Sequence, residues 1–223
     1  MELLPDILTS RQRDVLDHCA REPYLRERFY LTGGTALAGF YLGHRLSEDL
    51  DFFSEQDIDM AALAVFVERM KRTLRFSVDY QQSYNRNLFF LRYGDGNIVK
   101  TEFTYFPFVR IDAAQKTTHG LPLDSALDIA VNKLFTIYQQ ARARDYVDLY
   151  CLIERYHWSL DELMGHAIIK FDWHIDPLQL GAQFLKAEAA TDLPRMKTPL
   201  PEKQWRQFFL EAARKLKDKI ISA

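Results

Sequence analysis

Asp49-Leu50-Asp51-Phe52-Phe53 is the segment that most restricts how this chain folds. Side chains two apart on a strand share a face, so Asp49 and Asp51 point one way while Leu50 and Phe52 point the other. The apolar pair asks for a core. The acidic pair repels itself and is costly beside a core unless positive charge neutralises it. A hard divalent cation does this well, and magnesium favours carboxylates together with substrate phosphates. The alternative is an acidic edge strand with solvated aspartates, against which Phe52-Phe53 argues.

Upstream, Arg28-Phe29-Tyr30-Leu31-Thr32 reads as a strand entering the turn Gly33-Gly34, with a helix over Thr35 to Leu42 ended by Gly43. Such a turn lets a ligand approach the backbone, and the helix start adds unpaired amide hydrogens. The combination suits nucleotide phosphates, with Thr35 adding a hydroxyl donor. A tight turn capped by Thr35 is the plain alternative. Neither the dinucleotide fingerprint nor a phosphate loop ending in Gly-Lys-Ser/Thr is present.

Around these segments the spacing predicts helices from Thr9 or Ser10 to Arg21, where Pro23 breaks the pattern, and from Met60 to Leu74. Strands are expected at Asp49–Phe53, near Phe76–Val78, at Asn87–Arg92 and from Ile98 to Phe106, with a hairpin turn at Tyr93–Asn97. In the last strand, alternation puts Lys100, Glu102 and Thr104 on the polar face. If it lies beside the Asp49–Asp51 strand, Glu102 completes a three-carboxylate cluster able to hold two metals about 4 Å apart. Taken alone, Glu102 reads as a solvent-facing residue.

After about Asp112 the pattern becomes helical: Leu123–Gln140, Ala143–Arg155, Ser159–Phe171, Pro177–Ala189 and Gln204–Ile220, with a proline-rich connector from Asp192 to Pro201. Ser159 and Glu162 form a capping-box pattern. The expected division is an α/β core over 1–112 and a helical domain over 113–223. Lys133 sits in an otherwise apolar helix, either snorkelling to solvent or reaching a phosphate. Asp145 and Asp148 share a helix face, with Arg144–Asp148 as a possible surface ion pair.

Composition excludes several classes. The chain has 223 residues, 48% hydrophobic and 27% charged, so it is neither disordered nor fibrous. Its 29 basic and 31 acidic residues leave a net charge of -2, so no whole-surface field attracts nucleic acid. The stretch Arg195 to Lys219 is locally basic and is the candidate docking surface. Cys19 and Cys151 are expected as buried thiols, since two distant cysteines build no zinc framework. His18, His119, His157 and His166 show no ligand spacing, His44 beside Arg45 reads either as a phosphate contact or as an ordinary helix-end residue, and His174 within Asp172–Asp176 resembles a small ligand cluster but reads first as local turn capping. No secretory signal or membrane span is visible, which leads to the expectation of a cytoplasmic protein without membrane contact.

Gly33-Gly34-Thr35-Ala36-Leu37, the run Gly43 to Phe53, Lys133, and Arg144-Asp145-Tyr146-Val147-Asp148-Leu149 together resemble the AbiEii/AbiGii family, nucleotidyltransferase-like toxins of bacterial abortive-infection toxin–antitoxin pairs. The resemblance implies a polymerase-β-like nucleotidyltransferase core with a mixed sheet, followed by an all-helical lobe. It also implies roles. Gly33, Gly34, Thr35, Arg45 and Ser47 bind the nucleotide, Asp49 and Asp51 hold Mg2+ (Mn2+ being the alternative), and Glu102 fits the third metal carboxylate by position. Lys133 lies near the triphosphate, and Asp145 and Asp148 form the last acidic motif, contributed with Lys133 to the cleft. The implied substrates are a nucleoside triphosphate and an RNA acceptor, the tRNA 3′ end first, with protein or nucleoside acceptors as alternatives. A cognate antitoxin is the implied partner. Two rival readings stay open: a metal-dependent nuclease or phosphodiesterase using the same carboxylates, and a non-catalytic interaction protein.

Overall fold

The computed structural model describes the backbone of residues 1–222 and the side chains of residues 1–217. It divides into two compact units, Met1–Ser125 and the chain from Ala126 onward.

The first unit holds a seven-stranded mixed sheet in the order β3-β4-β5-β2-β1-β7-β6. Its strands are β1 (Tyr30–Thr32), β2 (Asp49–Ser54), β3 (Phe76–Ser83), β4 (Arg86–Tyr93), β5 (Ile98–Tyr105), β6 (Gln115–Lys116) and β7 (Pro122–Leu123). Four or five strands were expected. The additional pair, β6 and β7, is two residues per strand, too short to show alternation. Backbone pairing of Leu31 with Leu123 carries it into the sheet. The first unit, which includes this pair, runs to Ser125.

Helix α1 (Ser10–Arg21) starts at a capping box in which Thr9 and Gln12 satisfy each other's backbone donors. Pro23 ends the pattern as expected, but it also opens a short helix, α2 (Pro23–Arg28), from the first helical position. There its missing N–H costs nothing. Helix α4 (Met60–Leu74) is capped by Asp59 and buries Leu63, Phe66, Val67 and Met70 along one stripe.

One face of the sheet is aromatic. Phe52 and Phe103 are register partners on the parallel strands β2 and β5, and their rings stack at 5.0 Å. Phe29 and Phe89 meet Phe103 edge-on at 5.4 and 5.9 Å. Since strand side chains alternate, this apolar face commits Asp49, Asp51, Lys100 and Glu102 to the other.

The second unit is helical: α5 (Ala126–Gln140), α6 (Ala143–Tyr156), α7 (Leu160–Phe171), α8 (Pro177–Leu185), a short 3-10 turn over Lys186–Ala189, and α9 (Glu202–Ser222). The Ser159–Glu162 capping box is formed. The core packs Tyr146 against Trp205 and Phe209, with Phe184 on Phe209. Among the described residues no helix is long and apolar enough to cross a membrane. Both cysteines are free thiols, Cys19 buried and Cys151 half-buried.

Phe103 is fully buried at the centre of the aromatic face. Phe103→Ala is expected to lower unfolding free energy by about 3–5 kcal/mol, since it leaves a cavity among three other rings. Urea denaturation measures this; a loss below about 1 kcal/mol would show that the ring cluster does not anchor the sheet.

Candidate active site

The site begins where β1 ends. Gly33 has φ +69°, a left-handed conformation that only glycine takes without strain. A Cβ placed there would strike Asp51 Oδ2 and lie 3.2 Å from its Cγ. A Cβ on Gly34 would strike Arg45 Nη2 and lie 3.0 Å from Ser47 Oγ. Gly33 is therefore set by its backbone conformation, and at both positions a side chain would displace the polar end of a neighbour. Bare backbone faces the Asp51 carboxylate at one residue, and the Arg45 guanidinium and Ser47 hydroxyl at the next.

The chain leaves this turn as a single helical turn, α3 (Gly33–Ala36), and continues as a π-helix over Leu37–Leu42. Gly43, at φ +62°, closes it with an N–H bond to the Ala38 carbonyl at 3.0 Å. Such π segments are uncommon and are found frequently at functional sites.

Strand β2 then returns antiparallel to β1, placing Asp51 opposite Thr32. On its other side it runs parallel to β5, with Asp49 beside Lys100 and Asp51 beside Glu102. The expected polar face is thus assembled. Lys100 Nζ donates to Asp49 Oδ2 at 3.0 Å. Gln12 of α1 steadies the entry to β2 by donating to the carbonyls of Ser47 and Glu48 at 2.8 and 3.1 Å.

Two of the expected site residues have partners within the fold. Thr35 was expected to offer its hydroxyl to a ligand. It is fully buried and donates instead to the Asp49 backbone carbonyl, tying the helix start to the acidic strand. Glu102 was expected to complete a metal cluster. It has the right register, but Arg86 grips it as a fork, Nε to Oε1 at 2.7 Å and Nη2 to Oε2 at 2.6 Å, and Thr104 Oγ1 adds a bond to Oε1 at 2.8 Å. Among the described residues no group of three or more His, Cys, Asp or Glu side chains is arranged to hold a metal ion. A long-range salt bridge from a strand across the hairpin leaves no local sequence signature, so Arg86 escapes single-sequence reading.

The Arg86–Glu102 pair also moves both titrations. Burial alone would raise the Glu102 carboxyl, but the bonds from Arg86 and Thr104 and the charges of Arg86 and Lys100 outweigh it and hold it below its ordinary range. The Arg86 guanidinium is raised, chiefly by its hydrogen bond to Glu102. Both groups carry full charge at neutral pH.

Other expected residues fall as follows. Arg45 is buried, with Nη1 donating to the Leu46 carbonyl at 2.8 Å, and Ser47 is half-buried. In the second unit, Lys133 Nζ lies 2.7 Å from Asp145 Oδ1 and 2.8 Å from Asp148 Oδ2. Asp145 also accepts from the Arg142 N–H at 3.2 Å, which caps α6. Asp148 is therefore held by Lys133 rather than only by a surface partner such as Arg144. Deleting Lys133 would remove the ammonium that two buried carboxylates share, a cost of about 3–5 kcal/mol. A second buried pair went unnoticed in the sequence: Lys170 Nζ and Asp128 Oδ1, 2.6 Å apart with both side chains inaccessible. In the proposed docking stretch, Arg206 serves the fold, donating to the carbonyls of Ala187, Glu188 and Ala190. Lys203, Arg214, Lys215 and Lys217 stay exposed, and the side chains of Asp218 and Lys219 lie outside the described residues.

Residues 14–220 match the family model described as nucleotidyl transferase AbiEii toxin, type IV toxin–antitoxin system. The chain belongs to this family. Its activity class is that of a nucleotidyltransferase, and a toxin–antitoxin family brings with it a nucleotide substrate and a cognate antitoxin. An uncharacterized protein of Aquifex aeolicus is 30% identical over 159 residues, covering 70% of this chain and 72% of its own. The crystal structure of JHP933 from Helicobacter pylori superposes with a TM-score of 0.58 at 22% identity, covering 96% of this chain and 95% of that one. A second H. pylori structure, assigned as a nucleotidyltransferase, gives 0.57 at 20% identity, covering 96% and 98%. The expected fold, a nucleotidyltransferase α/β core with a mixed sheet followed by helices, is the one these neighbours share.

The Glu102 shift has a consequence for stability. A carboxyl held below its ordinary value of 4.5 stabilises the fold above that pH, and the contribution is lost as the pH falls through the folded-state value. The stability gap between wild type and Glu102→Gln is expected to stay constant above pH 4.5 and to close on the acid side of it. Thermal melts across that range measure the gap; one that stays unchanged well into acid would contradict the Arg86–Glu102 assignment.

Proposed function

We propose that this enzyme transfers a nucleotide from a nucleoside triphosphate to a hydroxyl of RNA, with the tRNA 3′ end as acceptor and pyrophosphate as the second product. The observation that carries this reading is the placement of the Asp51 carboxylate against the Gly33 backbone, with Asp49 on the same face. A glycine turn at a helix start accepts phosphate oxygens, and hard carboxylate oxygens beside it suit a magnesium–triphosphate.

Asp49 and Asp51 are the residues that would hold the cation, Mg2+ or Mn2+. Once bound, it would neutralise phosphate charge and polarise the reacting phosphoryl group. Gly33 and Gly34 offer backbone at the distance of closest approach, and Arg45 and Ser47, packed on Gly34, stand ready for phosphate oxygens. Thr35 and Gln12 hold the acidic strand in position. The acceptor oxygen bonds to the α-phosphorus, the bond from that phosphorus to the β-bridging oxygen breaks, and the hydroxyl proton passes to water. Lys133, Asp145 and Asp148 are assigned to the reaction on the family likeness.

The test is incubation with each α-labelled nucleoside triphosphate, Mg2+ and total bacterial RNA. Wild type is expected to label an RNA band and release pyrophosphate. Asp51→Asn should lower the rate by about 100-fold or more while leaving the melting temperature within a few degrees, since only electrostatic stabilisation is removed. Labelling by the variant at near wild-type rate would defeat the assignment. Shortened RNA without nucleotide incorporation would replace it with a nuclease.

A further inference from the structure

The β3–β4 hairpin continues the sheet face that carries Asp49 and Asp51. Register partners share a face, so Leu88 of β4 and Gln81 of β3 extend the row of Asp51 and Glu102, while Arg86 and Ser83 extend that of Thr104. From Asp79 to Ser83 every residue of β3 is exposed, so this end of the hairpin adds little to the core. It is nevertheless tied down. Tyr105 donates its N–H to the Asn85 carbonyl at 3.0 Å, and Asn85 Nδ2 donates to the Tyr105 carbonyl.

Ser83 and Arg86 pair, so the connection is the two-residue turn Tyr84-Asn85. Tyr84 takes φ +52°, a left-handed conformation for which such turns use glycine, asparagine or aspartate. The residue is 96% exposed and, among the described residues, makes no hydrogen bond and no ring contact. Tyr80 of the same hairpin differs: its ring packs on Phe89 at 5.0 Å and its hydroxyl donates to Asn87 Oδ1 at 2.8 Å. The fold thus explains Tyr80 and leaves Tyr84 strained and unpacked, the condition of a residue kept for a contact outside the chain. The residues flanking it, Gln82, Ser83, Asn85 and Arg86, are exposed and polar, unlike the apolar centre of a protein–protein interface. Arg86 bonds Glu102 through Nε and Nη2, which fixes the guanidinium while 48% of its side chain stays exposed, with N–H groups left for a phosphate. A ring for a base beside fixed positive charge for the backbone is how single-stranded nucleic acid is held.

Resting on the proposed transfer to RNA, we infer that Tyr84 stacks against an unpaired base of the acceptor RNA, with the Arg86 guanidinium taking an adjoining phosphate. The hairpin tip then fixes the strand whose reacting hydroxyl must reach Asp49 and Asp51. Four residues of β4 and two strand spacings separate Tyr84 from the Asp51 row, about 17 Å. At about 3.4 Å per stacked nucleotide, the span is about five nucleotides. Such a contact selects an unpaired acceptor strand over a blunt duplex, because only an unpaired base offers its face to the ring.

Binding of the full chain to a fluorescein-labelled single-stranded RNA, read by anisotropy, tests this beside transfer of α-labelled nucleotide to the same RNA. Tyr84→Gly removes the ring and suits the turn, so it should melt no lower than wild type. Its Kd and its KM for single-stranded RNA should each rise about tenfold with kcat unchanged. Tyr84→Phe should stay within about twofold of wild type, since stacking needs the ring and not the hydroxyl. Affinity for a blunt RNA duplex should be the same in wild type and Tyr84→Gly. Arg86→Met should lower the slope of log Kd against log salt by about 0.7. Single-stranded RNA affinity and KM of Tyr84→Gly within about twofold of wild type overturn the inference and leave the nucleotidyltransferase reading intact. A loss in Tyr84→Phe equal to that in Tyr84→Gly does the same to stacking, and an unchanged salt slope removes Arg86 from the contact. A wild type that labels no RNA with any nucleotide defeats the nucleotidyltransferase reading, and the acceptor role of Tyr84 with it. The Tyr84 variants alone decide the inference should Arg86→Met fail to fold, which circular dichroism would show.

Discussion

Charge compensation on one strand face organises the first unit. Placing Phe52 and Phe103 in the core forces Asp49, Asp51 and Glu102 to crowd the opposite side of β2 and β5. Unscreened, three carboxylates so close would destabilise the sheet. The fold answers with Lys100 on Asp49 and Arg86 on Glu102, and packs Asp51 against the Gly33 backbone. The glycine turn, the Thr35 tie to Asp49 and the Gln12 clamp on the loop before β2 all fix that acidic strand in place. The π-helix after the turn belongs to the same construction, since it sets where the chain goes between Ala36 and Gly43 before returning as β2.

The second unit repeats the logic in a helical setting. Lys133 is shared between Asp145 and Asp148, and Lys170 is paired with Asp128 in a fully buried environment. Pairs of this kind gain little net stability over apolar packing but are costly to break. Loss of activity in a Lys133 variant therefore reports on catalysis only if folding is measured beside it.

Much of this was legible in the sequence because it rests on local rules. Alternation separated Phe52 from Asp51. Capping chemistry marked Thr9 and Ser159, and the stripe of Leu63, Phe66, Val67 and Met70 located α4 to the residue. The glycine turn was readable because Gly33 and Gly34 have no other economical use. What the sequence hid depends on distant partners. Nothing near Arg86 says that it will grip Glu102, and nothing near Thr35 says that its hydroxyl turns inward to a backbone carbonyl. The two-residue strands β6 and β7 have no pattern to read and join the sheet only through pairing with β1. Membership of the AbiEii family agrees with the motifs that local reading found.

The central claim is that a divalent cation and a triphosphate meet between the Asp49–Asp51 carboxylates and the Gly33–Gly34 backbone. A crystal soaked with Mn2+ and a non-cleavable nucleoside triphosphate analogue, with anomalous scattering recorded at the manganese edge, tests it directly. The account predicts an anomalous peak bonded to Asp49 and Asp51 oxygens, with phosphate density against the glycine turn. Phosphate density elsewhere, or a manganese peak that touches neither aspartate, would contradict it.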